Sequence, residues 1–376
     1  MSAPPSSDRS NLAEVASVFF RLGCIAFGGP AAHISMMEEE IVRKRKWISG
    51  EHFLDLVGAT NLIPGPNSTE MTMHCGHERA GWKGLVVAGM CFIFPAVVLT
   101  GVIAWAYEQY GSLPDVQRFI YGIKPGIIAI IISTMISLGK KAVKSLVLAV
   151  LGLLAAIITL LGVNEIYILF GGGLIGVLIC FVTKPERLSS LIPFVMLTPV
   201  TREISGWQIF VTFLKIGAIL YGSGYVLFAF LDAELVNRGL LSKQQLIDAI
   251  AVGQFTPGPV FSSATFIGWQ LGGIYGAVAA TIGIFLPSFI FVAFSNPVIP
   301  KLRKSPIMSA FLDAVNVVSI AIILAVVIEM GRETLLDWRT IAIAIVSFVV
   351  MFYFKRLNSA LVVVGGAILG YILSLL

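Results

Sequence analysis

Charge is what this sequence has least of. Only 12% of its 376 residues are Asp, Glu, Lys or Arg, where a water-soluble globular domain carries about 25%. A chain that is 57% hydrophobic, with a mean hydropathy of +0.91, cannot be wetted on all sides, which excludes a soluble enzyme or binding module. The four cysteines, Cys24, Cys75, Cys91 and Cys180, lie in apolar segments without CxxC spacing, so neither a disulfide framework nor a zinc site organises the fold. No GxxxxGK[ST] phosphate loop occurs, and no cofactor is expected. Residues 1–11 lack the basic region, apolar core and cleavage site of a signal peptide and are expected to form a polar tail. The net charge of +5 is read as a report on membrane orientation, not as a sign of nucleic-acid binding.

Long apolar runs fill what remains. Runs of about 20 residues, each enough to cross a hydrocarbon core roughly 30 Å thick, recur along the chain. The first is expected over Leu12 to His33, and further full spans at about Gly84 to Tyr107, Phe119 to Gly139, Ser145 to Leu161 and Ile166 to Val182. Between the first two lies Asn61-Leu62-Ile63-Pro64-Gly65-Pro66-Asn67-Ser68-Thr69, echoed by Gln254-Phe255-Thr256-Pro257-Gly258-Pro259-Val260-Phe261-Ser262. Proline removes a backbone donor and glycine permits a sharp bend, so each set breaks a helix. The arms beside Pro64-Gly65-Pro66 are half the length of a span, which reads as a re-entrant hairpin.

The echo belongs to a duplication. Ser49, Asp55 and Pro64-Gly65-Pro66 match Ser242, Asp248 and Pro257-Gly258-Pro259 at an offset of 193. Gly81, Gly84, Pro95 and Gly139 match Gly273, Gly276, Pro287 and Gly331 at 192, and Arg21 matches Lys215. The expected fold is therefore an all-α polytopic membrane protein of two inverted-topology repeats, each with about five transmembrane helices and one re-entrant Pro-Gly-Pro hairpin. Residues 12–182 form the first repeat, 183–206 a cytoplasmic linker and 207–376 the second. In that topology Arg43 to Lys46, Arg79, Lys83, Lys140, Lys141, Lys144, Lys184, Arg187, Arg202, Lys301, Arg303, Lys304, Lys355 and Arg356 share one side, the cytoplasmic one, and both chain ends lie outside.

Cations inside apolar spans are functional candidates because each costs a few kcal/mol or more to place there. Arg21 and Lys215 occupy equivalent positions, and Lys124 faces Asn316 in the repeat alignment. After each Pro-Gly-Pro a new half-helix begins, and helix starts present free N–H groups that bind anions. Asn67, Ser68 and Thr69 in one half, with Ser262 and Ser263 in the other, add polar donors. The alternative is that these residues only satisfy the broken backbone, and that the cations pair with carboxylates such as Glu14, Asp232 or Glu70. Glu70, whose counterpart is Ser263, is the candidate proton-coupling group. The hinges are expected at Pro64, Gly65, Pro66, Pro257, Gly258, Pro259, Gly28, Gly29 and Gly222.

With the duplicated hairpins, Phe27-Gly28-Gly29-Pro30 and Asn61 to Pro66 in view, the sequence resembles the chromate ion transporter family in its long, two-repeat form. The resemblance implies export of chromate, with sulfate as a related dianion, across the bacterial inner membrane, conferring chromate resistance. The expected partners are thus an oxyanion, the lipid bilayer and, as an assembly, a second copy of the chain. Two rivals stand beside it. One is a carrier or channel for another anion; the other is a lipid-phosphate phosphatase using Ser68 and His74, a pair the second repeat lacks because Ile267 stands opposite His74.

Overall fold

The structure is a computed structural model that describes residues 8–27, 29–183, 205–221, 226–295, 306–354 and 359–375. The expected hinge residues Gly28 and Gly222, and most of the polar tail and of the linker, lie outside them. Every regular element among the described residues is helical.

The first repeat comprises α1 (Asp8–Ile25), α2 (Pro30–Met37) with a π-helical turn (Glu38–Lys44), α3 (Gly50–Thr60), α4 (Asn67–Tyr110), α5 (Pro114–Ala142), α6 (Leu146–Leu160) and α7 (Glu165–Thr183). The second repeats the order: α8 (Gly206–Ile219), α9 (Val226–Leu231) with a π turn (Asp232–Val236), α10 (Lys243–Phe255), a 3-10 turn (Val260–Ser262) leading into α11 (Ser263–Ser295), α12 (Pro306–Thr334), α13 (Trp338–Tyr353) and α14 (Ser359–Ser374). Mirrored caps start equivalent helices. Ser49 accepts from the His52 N–H and Ser242 from the Gln245 N–H, each cap contributing about 1 kcal/mol.

Both long helices α4 and α11 contain the same break, at Ala80–Gly81 and at Gly272–Gly273, with φ of 59° at Gly81 and at Gly273. Such a φ favours glycine. Across each break the chain folds back on itself so closely that backbone meets backbone. A Cβ on Gly76 would lie 2.4 Å from the Gly84 carbonyl oxygen, and one on Gly268 2.3 Å from that of Gly276. The arm after Pro-Gly-Pro is therefore a half-helix, and a full-length rod follows it. Among the described residues, four helical stretches are long and apolar enough to cross a membrane: Asn67–Tyr110, Pro114–Ala142, Val260–Phe294 and Ile307–Thr334.

Near the start of α3 and the end of the half-helix that follows Pro64-Gly65-Pro66, His52 Nε2 stands 3.4 Å from Glu78 Oε1. The first expected span is corrected. Leu12 to His33 is no single rod: α1 stops at Ile25, and His33 Nε2 bonds back to the Ala26 carbonyl at 3.0 Å. The returning segment brings Arg45 to within 2.6 Å of Glu14, which also holds Arg79 at 2.8 Å. So α1 begins at the same basic end of the molecule as Arg45 and Arg79, and each repeat opens with two hairpins followed by four rods. The chain's described ends therefore lie at opposite ends of the bundle, since Tyr371 of α14 stacks on Phe119 at the start of α5. The helices flanking the linker also stop and start at opposite ends. Gly176, late in α7, sits against Ala310 at the start of α12, whereas Gly272 and Gly276 at the α11 break receive Ile209 of α8.

Packing divides the helices into two bodies. In one, α1 packs on α4, α8 on α11, and α4 on α11; in the other, α13 and α14 pack on α5 while α6 and α7 pack on α12. The last two helices of each repeat thus lean on the second rod of the opposite repeat, α5 or α12. Glycine makes the closest of these contacts: a Cβ on Gly122 would stand 2.1 Å from the Gly366 carbonyl oxygen.

Candidate functional site

Both Pro-Gly-Pro tips reach into the opposite repeat. The Gly65 N–H donates to the Leu220 carbonyl at the end of α8, and the Gly258 N–H donates to the Ala26 carbonyl at the end of α1, each at 2.8 Å. Gly65 and Gly258 hold φ of 135° and 91°, values open to glycine and costly for other residues. A side chain at Gly65 would strike Glu70 and Ser288; at Gly258 it would strike Ala96, the mirror of Ser288. The two tips are thus related by the duplication in their surroundings as well as in their sequence.

Behind each tip a helix starts in the interior, beside polar side chains that are enclosed. Ser68, Thr69 and Glu70 on α4, Ser262 and Ser263 before and on α11, and Ser288 are all buried. Asn67, half-buried, donates to Asn61 Oδ1 at 2.7 Å. Thr100 on α4 donates to Ser262 across the repeats at 3.4 Å. Thr69 Oγ1 and Ser263 Oγ lack hydrogen-bond partners. Glu70 is fully enclosed beside the Ser288 hydroxyl. Buried hydroxyls without partners cost about 1–3 kcal/mol each, and folds retain them where something else is to be bound. Helix starts and spare donors together suit an anion.

The three cations expected within apolar spans are each paired. Arg21 meets Glu40 at 2.6 Å, and Lys215 meets Glu234 at 2.5 Å. Lys44 stands 3.8 Å from Glu40 and Arg238 2.8 Å from Glu234, so the two clusters are built alike on the two π turns. These carboxylates escaped the sequence reading, although Glu40-Ile41-Val42 and Glu234-Leu235-Val236 repeat at an offset of 194. Arg45 adds a third cation to Glu40 at 2.9 Å, so each buried carboxylate is outnumbered by the cations around it. Removing one charge should expose that excess: Glu234→Gln is expected to lower stability by on the order of 3 kcal/mol, read from the denaturation midpoint in detergent. Lys124 is 3.1 Å from Asp248, which also accepts from the Tyr107 hydroxyl at 2.7 Å. Ser68 and His74, the pair an esterase would need, are both buried.

Elsewhere, a groove of about 360 Å³ between α4 and α11, lined by Val98, Val102, Trp105, Trp269, Ile274 and Val278, is too apolar to hold an anion.

Comparison with known proteins agrees with the duplication. A probable chromate transport protein of Synechococcus elongatus is 30% identical over 96% of this chain and 95% of its own length. A chromate transport protein of Cupriavidus metallidurans is 30% identical over 96% of this chain and 93% of its own, and one of Pseudomonas aeruginosa is 26% identical over 94% and 90%. No solved structure matches. The family model described as chromate transporter matches twice, over residues 13–177 and 207–371, once in each repeat, and the chain belongs to the chromate transporter family.

Proposed function

We propose that the protein is a secondary transporter that exports chromate, with sulfate as a related substrate, across the bacterial inner membrane. The observation that carries this reading is the pair of mirrored interior helix starts with spare hydroxyls at Thr69 and Ser263, in a chain whose relatives are chromate transport proteins. The dianion sits between the tips, held by the N–H groups of Asn67 and Ser68 and by the side chains of Asn67, Ser68, Thr69, Ser262 and Ser263. Arg21, Lys215 and Lys124 flank it as cations that draw an anion inward from clusters they share with carboxylates. The basic end of the bundle faces the cytoplasm, the Pro-Gly-Pro hairpins re-enter the membrane without crossing it, and the two bodies move against each other by alternating access.

A potential negative inside drives a dianion outward by roughly 4.6 kcal/mol per 100 mV, so export needs no nucleotide. Glu70 is the proton-coupling group. A bare carboxylate enclosed beside Ser288 would repel the substrate and carry a large desolvation cost, and a proton on it removes both.

Proteoliposomes with collapsible pH and electrical gradients test the reading. Chromate flux should saturate, accelerate with the potential, and fall when sulfate competes. Flux that phosphate inhibits and sulfate leaves alone would instead mark a different oxyanion carrier, and currents far above carrier rates would mark a channel.

A further inference from the structure

The repeats carry the same hairpins but do not surround them alike. In the second repeat α10 packs on α5 and α14, and α9 packs on α12; in the first, α3 and α2 pack on α4 and their own π turn, with no comparable packing on α12 or α7 among the described residues. Equivalent side chains record the difference. Leu54 is 64% exposed and its mirror Ile247 1%, and Asp55 is exposed where Asp248 is buried.

Two ion pairs join α10 to the other body. Lys124 of α5 holds Asp248 at 3.1 Å, and Lys243 bridges Glu329 of α12 at 2.6 Å and Asp232 at 2.8 Å. At the mirrored positions stand Asn316 of α12 for Lys124, Gly50 for Lys243 and Ser137 for Glu329, and only the carboxylates are kept, Asp55 for Asp248 and Glu38 for Asp232. The chain therefore writes a latch into one end of the bundle and omits it from the other. We propose that Lys124–Asp248 and Lys243–Glu329 form a one-sided gate: this structure is the state closed at α10 and open at α3, and the opposite state requires both pairs to part as α3 closes on α12. The proposal rests on the alternating-access reading and adds which end is held, by which residues, and that the resting population favours opening at the basic, α3 end.

Thiol accessibility tests the gate without any substrate, so its outcome is separate from that of the flux assay. In a background lacking exposed native cysteines, Leu54→Cys should react with a hydrophilic maleimide at least about tenfold faster than Ile247→Cys. Neutralising the latch with Asp248→Asn, or independently with Lys243→Gln, should raise Ile247→Cys labelling and lower Leu54→Cys labelling by about tenfold each, as expected when one equilibrium shifts. Exchanging the charges, Lys124→Asp with Asp248→Lys, should restore the original pattern. Labelling unchanged by either neutralisation overturns the proposal, as does a rise at Ile247→Cys without the matching fall at Leu54→Cys, which would mean local loosening only.

Discussion

Glu70→Gln is expected to uncouple transport from the pH gradient while leaving the dependence on membrane potential. The side chain is enclosed, lies against Ser288, and is three residues from the half-buried Asn67–Asn61 contact. Glutamine keeps its volume but can neither lose a proton nor carry a charge. If Glu70 takes up a proton each time the site is occupied, the variant is locked in the neutral form. Chromate flux under a pH gradient alone should then fall at least about a hundredfold, the scale on which positioned proton-transfer groups act, with flux under an imposed potential much less affected. Equal loss of both fluxes would place Glu70 in the architecture of the tip and not in coupling. Its mirror, Ser263, cannot titrate in the working range, so Ser263→Ala should leave the pH dependence untouched.

The second large effect is structural. Gly76→Leu is expected to abolish folded protein, and Gly268→Leu to do the same in the other repeat. Even a Cβ at Gly76 would stand 2.4 Å from the Gly84 carbonyl oxygen, and one at Gly268 2.3 Å from that of Gly276. Backbone cannot step aside as a flexible side chain does, and inserting bulk into a packed contact costs about 1–3 kcal/mol or more even where relaxation is available. Here relaxation would part the half-helix from the rod and carry the Pro-Gly-Pro tip with it. Gly331→Leu serves as the control, because the nearest atom to its Cβ is 3.9 Å away. Monodispersity after detergent extraction distinguishes the three variants.

Much of this architecture was legible in the sequence because a duplication supplies its own check. The Pro-Gly-Pro sets, the matching glycines at Gly81 and Gly273, and the spans from Gly84 to Val182 all correspond to observed elements. What failed was the first hairpin. Leu12 to His33 has the length and hydrophobicity of a crossing, and Phe27-Gly28-Gly29-Pro30, although expected to be a hinge, does not by itself tell a bent rod from two antiparallel arms. The end of α1 at Ile25 and the return of His33 onto the Ala26 carbonyl decide it. Orientation of the chain ends followed that error.

At the site, residue type could identify Arg21 and Lys215 as unusual but not their partners. Glu40 lies 19 residues from Arg21 in an acidic run that reads as an ordinary solvated segment, and only the π turn brings it inward. The asymmetry between α3 and α10 was equally hidden, although Lys124 opposite Asn316 was its trace. Repeats align by what they share, whereas a gate that opens at one end at a time depends on what they do not.

The central claim is that the two interior helix starts form one oxyanion site. Titration of chromate into the purified protein by calorimetry tests it most directly, comparing the wild type with Thr69→Val, Ser263→Ala and the double variant. The account predicts a single saturable site, weakened by each substitution and lost in the double variant, with sulfate displacing chromate. Binding that is undiminished when both hydroxyls are gone would contradict it.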